Sequence, residues 1–150
     1  MAEGGLSNDY VENVCKKLFG KSFLGVYPCD IHPKTRRKTF SVVFNTGDSS
    51  TSGEHFVCLY VTPTIIHYFD SFGKTPTDVN IKSFIKKQKQ RRRLKHWKTS
   101  IQHETSDFCG FYVIGFLIHK YRNKKMFNKM FTSNLKENDS IIVNFIIKSI

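Results

Sequence analysis

Apolar residues recur at helical spacing at Tyr10, Val11, Val14, Leu18 and Phe19, with Ser7 or Asn8 ahead of them to cap a helix. Gly20 is placed to end it. Phe23–Pro28 is an apolar, turn-prone passage, followed by a polar stretch over 30–38. Thr39–Phe44 alternates as a strand does, and a loop rich in Gly, Ser, Thr and Asp closes it over Asn45–Gly53. His55–Val61 and Ile65–Phe72 are two β-rich runs, and Thr62-Pro63-Thr64 between them predicts a hairpin.

Gly73 and Pro76 then turn the chain toward a helix starting near Thr77 or Asp78. Its apolar face is thin (Val79, Phe84, Ile85), so the pattern predicts a surface helix that runs into a basic segment ending at Lys98. Ser100–His103 reads as a short strand. Cys109–Tyr121 is apolar almost all round, which marks a helix buried in the core, with Ser106 or Asp107 just ahead as a cap. Ser140–Ile150 is a last apolar element whose period fits helix or strand. The order of elements predicts one α+β domain over residues 1–150, a small mixed sheet flanked by helices.

Composition narrows the class. With 150 residues, 39% hydrophobic and 14% aromatic, the chain can bury one real core. Lys and Arg number 24 against 12 Asp and Glu, a formal charge of +12 that attracts polyanions. The four cysteines (Cys15, Cys29, Cys58, Cys109) form no CxxC and no Cys/His ligand spacing, so neither a metal site nor a disulfide framework is expected. The start MAEGGLSNDY lacks the charged end and apolar core of a signal peptide, and no apolar run is long enough to span a bilayer. A reducing intracellular compartment and no membrane partner are therefore expected.

Thiol-dependent acyl transfer needs a thiolate, an imidazole to take its proton, a group to hold the imidazole, and donors for the oxyanion. Four passages supply these types in order. Gly53-Glu54-His55-Phe56 opens a strand after a loop, and Tyr68-Phe69-Asp70-Ser71-Phe72-Gly73 ends the neighbouring strand with an acid. Ile101-Gln102-His103 carries an amide, and Ser106-Asp107-Phe108-Cys109-Gly110 sets a cysteine on the first turn of the buried helix. Unpaired N–H groups and the positive end of the helix dipole favour a thiolate there, and Gly110 leaves room for a substrate backbone. Plainer readings compete. Cys58 and Cys15 read as small buried hydrophobes and Cys29 as a loop thiol. His67 and His103 rival His55 as base. Glu54 and Asp107 rival Asp70, although Glu54 points to the other face of the strand and Asp107 suits a cap.

The set Gly-x-His with an aromatic next, Phe-Asp-Ser-Phe-Gly, then Gln, then Cys-Gly resembles the adenain family of viral proteases, distant relatives of the proteases that process ubiquitin-like proteins. Phe23-Leu24-Gly25-Val26-Tyr27 and Val42–Thr46 extend the likeness, so that it covers roughly residues 10 to 120. The resemblance implies Cys109 as nucleophile, His55 as general base, Asp70 as its orienting acid and Gln102 with the Cys109 N–H as oxyanion donors. It implies a cysteine endopeptidase that cleaves viral structural precursors at glycine-containing sites. Its expected setting is the virion and the host nucleus, and it is expected to act as a monomer.

The chain also departs from that family. It ends 41 residues (150 − 109) after Cys109, earlier than the adenoviral enzymes are expected to. Phe56 stands where a tryptophan is expected after the histidine. In the family, DNA and a short capsid-derived peptide act as activators, and the peptide can be tethered through a cysteine between the acid and the glutamine. No cysteine lies between Cys58 and Cys109, so peptide activation is not expected here.

DNA stimulation fits the run Lys82–Lys98, which holds no acid. Lys86, Lys87, Lys89, Arg91, Arg92, Arg93 and Lys95 are its candidate nucleic-acid contacts. Trp97 and His96 suit base stacking or, equally, the core. Two rival functions stay open: deconjugation of a ubiquitin-like modifier, and a non-enzymatic basic DNA-binding core protein.

Overall fold

The structure is a computed structural model that describes residues 5–47, 50 and 55–150. Glu54, Gly53 and most of the loop expected after Asn45 lie outside the described residues.

Five strands form one mixed sheet whose spatial order is their chain order: β1 (Phe23–Pro28), β2 (Phe40–Asn45), β3 (Phe56–Val61), β4 (Ile65–Phe69) and β5 (Arg93–His96). β2, β3 and β4 pair antiparallel, while β1 joins β2 and β5 joins β4 in parallel. The helices are α1 (Asn8–Phe19), α2 (Val79–Lys89), α3 (Cys109–Arg122) and α4 (Leu135–Ser149). The fold is α+β, as the pattern of elements predicts.

Helices cover both faces of the sheet, so β2 and β3 are buried almost throughout. Val43, Phe56, Cys58 and Phe69 face α1, α3 and α4 through Val11, Cys15, Tyr112, Val113, Phe116 and Phe145. Phe44, Leu59, Ile66 and Tyr68 pack on the other face against Ile81, Phe84 and Ile85 of α2. Tyr112, Phe40, Phe44, Phe56, Phe69 and Phe84 are among the largest side chains with almost no exposure. At about 25 cal/mol per Å² of apolar surface, such aromatic burial dominates the stabilisation.

Local signals fix the helix starts. Ser7 Oγ accepts from the Tyr10 N–H at 3.1 Å, and Asp78 accepts from Asn80 and Ile81 at 2.8 and 3.0 Å. Gly20 ends α1 with φ +69, where only glycine is unstrained.

Four expectations are revised. Phe23–Pro28 is an edge strand, its alternation disguised by Gly25 and Pro28 and its register shifted between Phe23 and Val26. The helix of the basic run stops at Lys89, since Gln90 has a positive φ of 27 and the chain then pairs with β4 as β5. Ser100–His103 is no strand, although Ile101 and Gln102 both donate their N–H to the Ser71 carbonyl at 2.9 and 3.2 Å. The last element is a helix that begins at Leu135, before its apolar run.

Candidate active site

The hairpin brings the imidazole and the carboxylate together. β3 and β4 pair Cys58 with Phe69 and Leu59 with Tyr68. Carrying that register past the strand ends sets His55 opposite Phe72, and their rings stack at 4.7 Å between centroids. Asp70, just beyond β4, accepts from His55 Nε2 at 2.9 Å and from the Phe72 N–H at 2.8 Å, both on Oδ1. It is 7% exposed. The backbone bond holds the carboxylate, and the carboxylate holds the ring.

Cys109 is the other partner of that ring. Burial works against the His55 imidazolium, but the hydrogen bond to Asp70, a hydrogen bond to Cys109 and the charges of both outweigh it. The pKa of His55 is thereby pushed up to about 9. Since Nε2 faces Asp70, the nitrogen left for Cys109 is Nδ1. Cys109 is the first residue of α3 and 3% exposed, so its N–H is one of the orphan donors of a helix start.

Gln102 is 1% exposed and held at both ends of its amide. Ser71 Oγ donates to Oε1 at 2.5 Å, and Nε2 donates to the Ser106 carbonyl at 2.9 Å. Nε2 also makes a long contact of 3.4 Å to Ser106 Oγ, the weaker of its two. Gly73 lets this segment approach the acid turn. It has φ +72, and a Cβ there would lie 2.7 Å from Thr99 C and Ser100 N.

Residues that the sequence did not single out secure the loop between Gln102 and Cys109. Asn138, fully buried on α4, donates to the Ile101 carbonyl at 2.8 Å and the Thr132 carbonyl at 3.0 Å. Asp139 next to it takes the Ser106 hydroxyl at 3.0 and 2.9 Å and the Tyr112 hydroxyl at 2.8 Å. Ser106 Oγ in turn accepts from the Phe108 N–H at 3.1 Å, but neither Ser106 nor Asp107 caps α3 as expected, because Phe108 is its N-cap residue and no side chain caps it. An Asn-Asp pair at the start of an apolar run was the available signal, since buried polar groups need partners. An open cleft of about 570 Å³ adjoins the site, lined by Phe72, Lys74, Ser100, Gln102, His103, Glu104 and Leu135.

The other candidates lie elsewhere. His67 on β4 lines a different cavity with Lys95 and Lys120, and His103 bonds its own Thr105 at 2.8 Å. Cys15 and Cys58 are fully buried; so is Cys29, which the sequence reading treats as a loop thiol. Gly110 does not open a substrate path: a Cβ there would meet Leu6 at 3.1 Å and Val11 at 3.3 Å, so its smallness serves packing of α3 against the chain start.

In the basic run, Lys86, Lys87, Lys89, Arg91, Arg93 and Lys95 are exposed. Arg92 instead spends its guanidinium on the carbonyls of Thr62, Gln88 and Lys38 at 2.8, 3.0 and 3.0 Å. Trp97 packs on Phe69, Phe116 and Phe127, which favours its core reading.

Among the described residues, no group of three or more His, Cys, Asp or Glu could hold a metal, and no helix is long and apolar enough to cross a membrane. No family model and no curated protein matches the sequence. Among solved structures, the chain is similar to the ASFV pS273R protease, with 21% identity over 73% of this chain and a TM-score of 0.46. It spans 44% of that protein's length.

Proposed function

We propose that the chain is a cysteine endopeptidase with Cys109 as nucleophile, His55 as base and acid, Asp70 as the group that orients His55, and Gln102 as an oxyanion donor. The observation that carries this reading is the His55 imidazole bonded to Asp70 at 2.9 Å, with Cys109 near enough to help raise its pKa. An imidazolium stable to about pH 9 is the partner a thiolate needs.

In the reaction, the Cys109 Sγ anion attacks the peptide carbonyl carbon, and the negative charge moves to the carbonyl oxygen. The Cys109 N–H and a Gln102 Nε2 hydrogen, given up from its long contact to Ser106 Oγ, receive that oxygen. Collapse breaks the C–N bond as His55 passes its Nδ1 proton to the departing amine, leaving a thioester. His55 then takes a proton from water, whose oxygen displaces Sγ and releases the acid.

The substrates of this proposal are viral structural precursors cut at glycine-containing sites, met in the virion or host nucleus. The exposed Lys86, Lys87, Lys89, Arg91, Arg93 and Lys95 support DNA as a stimulating surface. Peptide activation is not part of the proposal. The test is cleavage of fluorogenic peptides with Gly-Gly ahead of the scissile bond, with and without DNA. Turnover by wild type and by Cys58→Ser, but not by Cys109→Ser, is expected. Undiminished turnover by Cys109→Ser overturns the reading, and a requirement for a folded modifier tail moves it to deconjugation.

A further inference from the structure

We propose that the cavity between the edge strand β5 and the C-terminal half of α3 is a binding site for a small phosphate-bearing anion. The cavity measures about 310 Å³, at the lower end of the range of small-molecule sites. His67 of β4, Lys95 of β5, and His119 and Lys120 of α3 line it together with Lys125, and Trp97 and Phe116 form its apolar wall. Every ionisable lining residue other than Tyr68 is basic, and no carboxylate lines it.

It is separate from the candidate active site. Cys109 opens α3 and His119 comes ten residues later, roughly 15 Å along the helix at 1.5 Å per residue.

The charges in this cavity repel one another. Burial, then Lys120, Lys95, His119 and Arg93 push His67 down to about 4. Burial and then Lys95 lower Lys120. Burial lowers His119, with Lys120 adding to it, although the bond to the Lys124 carbonyl works the other way. The Lys95 and Lys120 ammoniums repel one another across one void and hold His67 and His119 uncharged, a cost that a bound anion would return.

The donors are also arranged to be used. His119 Nδ1 donates to the Lys124 carbonyl at 2.8 Å, so Nε2 is free to take a proton and then donate to an anion. Lysine is a point-charge donor suited to phosphate, and a compact phosphate offers several acceptor oxygens to donors that converge from three elements. A cation is the wrong occupant, because Lys95 and Lys120 repel it.

The phosphates could belong to a free small molecule or to the end of a nucleic acid strand, and the experiment separates these. Inorganic tripolyphosphate and a single-stranded twelve-nucleotide DNA are titrated at low ionic strength into wild type, Lys95→Gln/Lys120→Gln, and the control Lys86→Gln/Lys87→Gln/Lys89→Gln. Binding is followed by calorimetry and by the thermal midpoint.

Tripolyphosphate should bind wild type and the control alike, raise the midpoint, and bind the cavity variant at least tenfold more weakly. Without ligand, the cavity variant should be at least as stable as wild type, because its repulsion is relieved. Calorimetry in buffers of different ionisation enthalpy should show proton uptake. His67 and His119, faced by Arg93 and Lys95 from β5 and by Lys120 and Lys125 from α3 and the turn after it, become charged beside the anion.

Equal binding by wild type and the cavity variant overturns the proposal. So does equal weakening by the control, which would put the anion on α2. DNA binding without any tripolyphosphate binding overturns it too. Because none of these readouts involves peptide cleavage, the result stands apart from the protease proposal.

Discussion

Ser106 Oγ points between the two carboxylate oxygens of Asp139, 3.0 and 2.9 Å away, and so ties the loop ahead of Cys109 to the last helix. The Ser106 carbonyl accepts from Gln102 Nε2, so the same residue orients the amide proposed to meet the oxyanion. Asn138 fixes the carbonyl just before Gln102. α4 therefore clamps both sides of Gln102 from residues far along the chain.

Asp139→Ala should cost about 1.5–3 kcal/mol of stability, because it removes a charged acceptor from two partly buried hydroxyls. In the protease reading its kcat should fall more than its KM rises, since the loss is in placing the oxyanion donors. Denaturant unfolding and steady-state kinetics on the same preparation check both. Unchanged kcat in a folded variant would detach Asp139 from the site.

The pH dependence follows from His55. Its folded pKa is raised from 6.5 to about 9, so the stability it contributes is fully present below 6.5 and lost as pH rises through 9. Activity should show an alkaline limb in the same region as the imidazolium loses its proton. Asp70→Asn should move that limb toward lower pH and lower kcat on the order of 10²-fold. A pH profile of kcat/KM for both proteins is the measurement.

Gly73→Ala should cost about 2 kcal/mol or more, since a left-handed non-glycine residue costs about 1–3 kcal/mol and the new Cβ also meets the Thr99–Ser100 backbone. Moving that backbone shifts Gln102, so activity should fall in the surviving folded fraction. Thermal unfolding alongside active-site titration separates the two effects.

The basic run divides into structural and free charges. Arg92→Ala should destabilise by about 1.5–3 kcal/mol through its lost carbonyl contacts, whereas Arg91→Ala should stay within about 0.5 kcal/mol of wild type. Lys86→Gln/Lys87→Gln/Lys89→Gln should leave stability intact and make DNA affinity less steep in salt, by roughly 2–3 in the logarithmic slope. Fluorescence anisotropy across salt concentrations tests this.

The parts of the fold visible in the sequence are those with local signals. Ser7 and Asp78 cap helices as their side chains allow, and the apolar run after Phe108 is the buried α3. His55 and Asp70 meet because a hairpin joins them, and that hairpin was legible. What was hidden depends on distant partners. β5 reads as helix or coil until it pairs with β4, and Gly110 acquires its reason only from Leu6 and Val11. Asn138 and Asp139 carry no motif, since their partners lie some 30 residues back along the chain at Ile101 and Ser106.

The most direct test of the central claim is mass spectrometry of the protein after exposure to a peptide ending in Gly-Gly with a thiol-reactive warhead, on wild type, His55→Ala and Cys109→Ser. The account predicts one adduct, on Cys109, formed far more slowly in His55→Ala and absent in Cys109→Ser. Labelling spread over Cys15, Cys29 and Cys58, or Cys109 labelling at the same rate without His55, would contradict it.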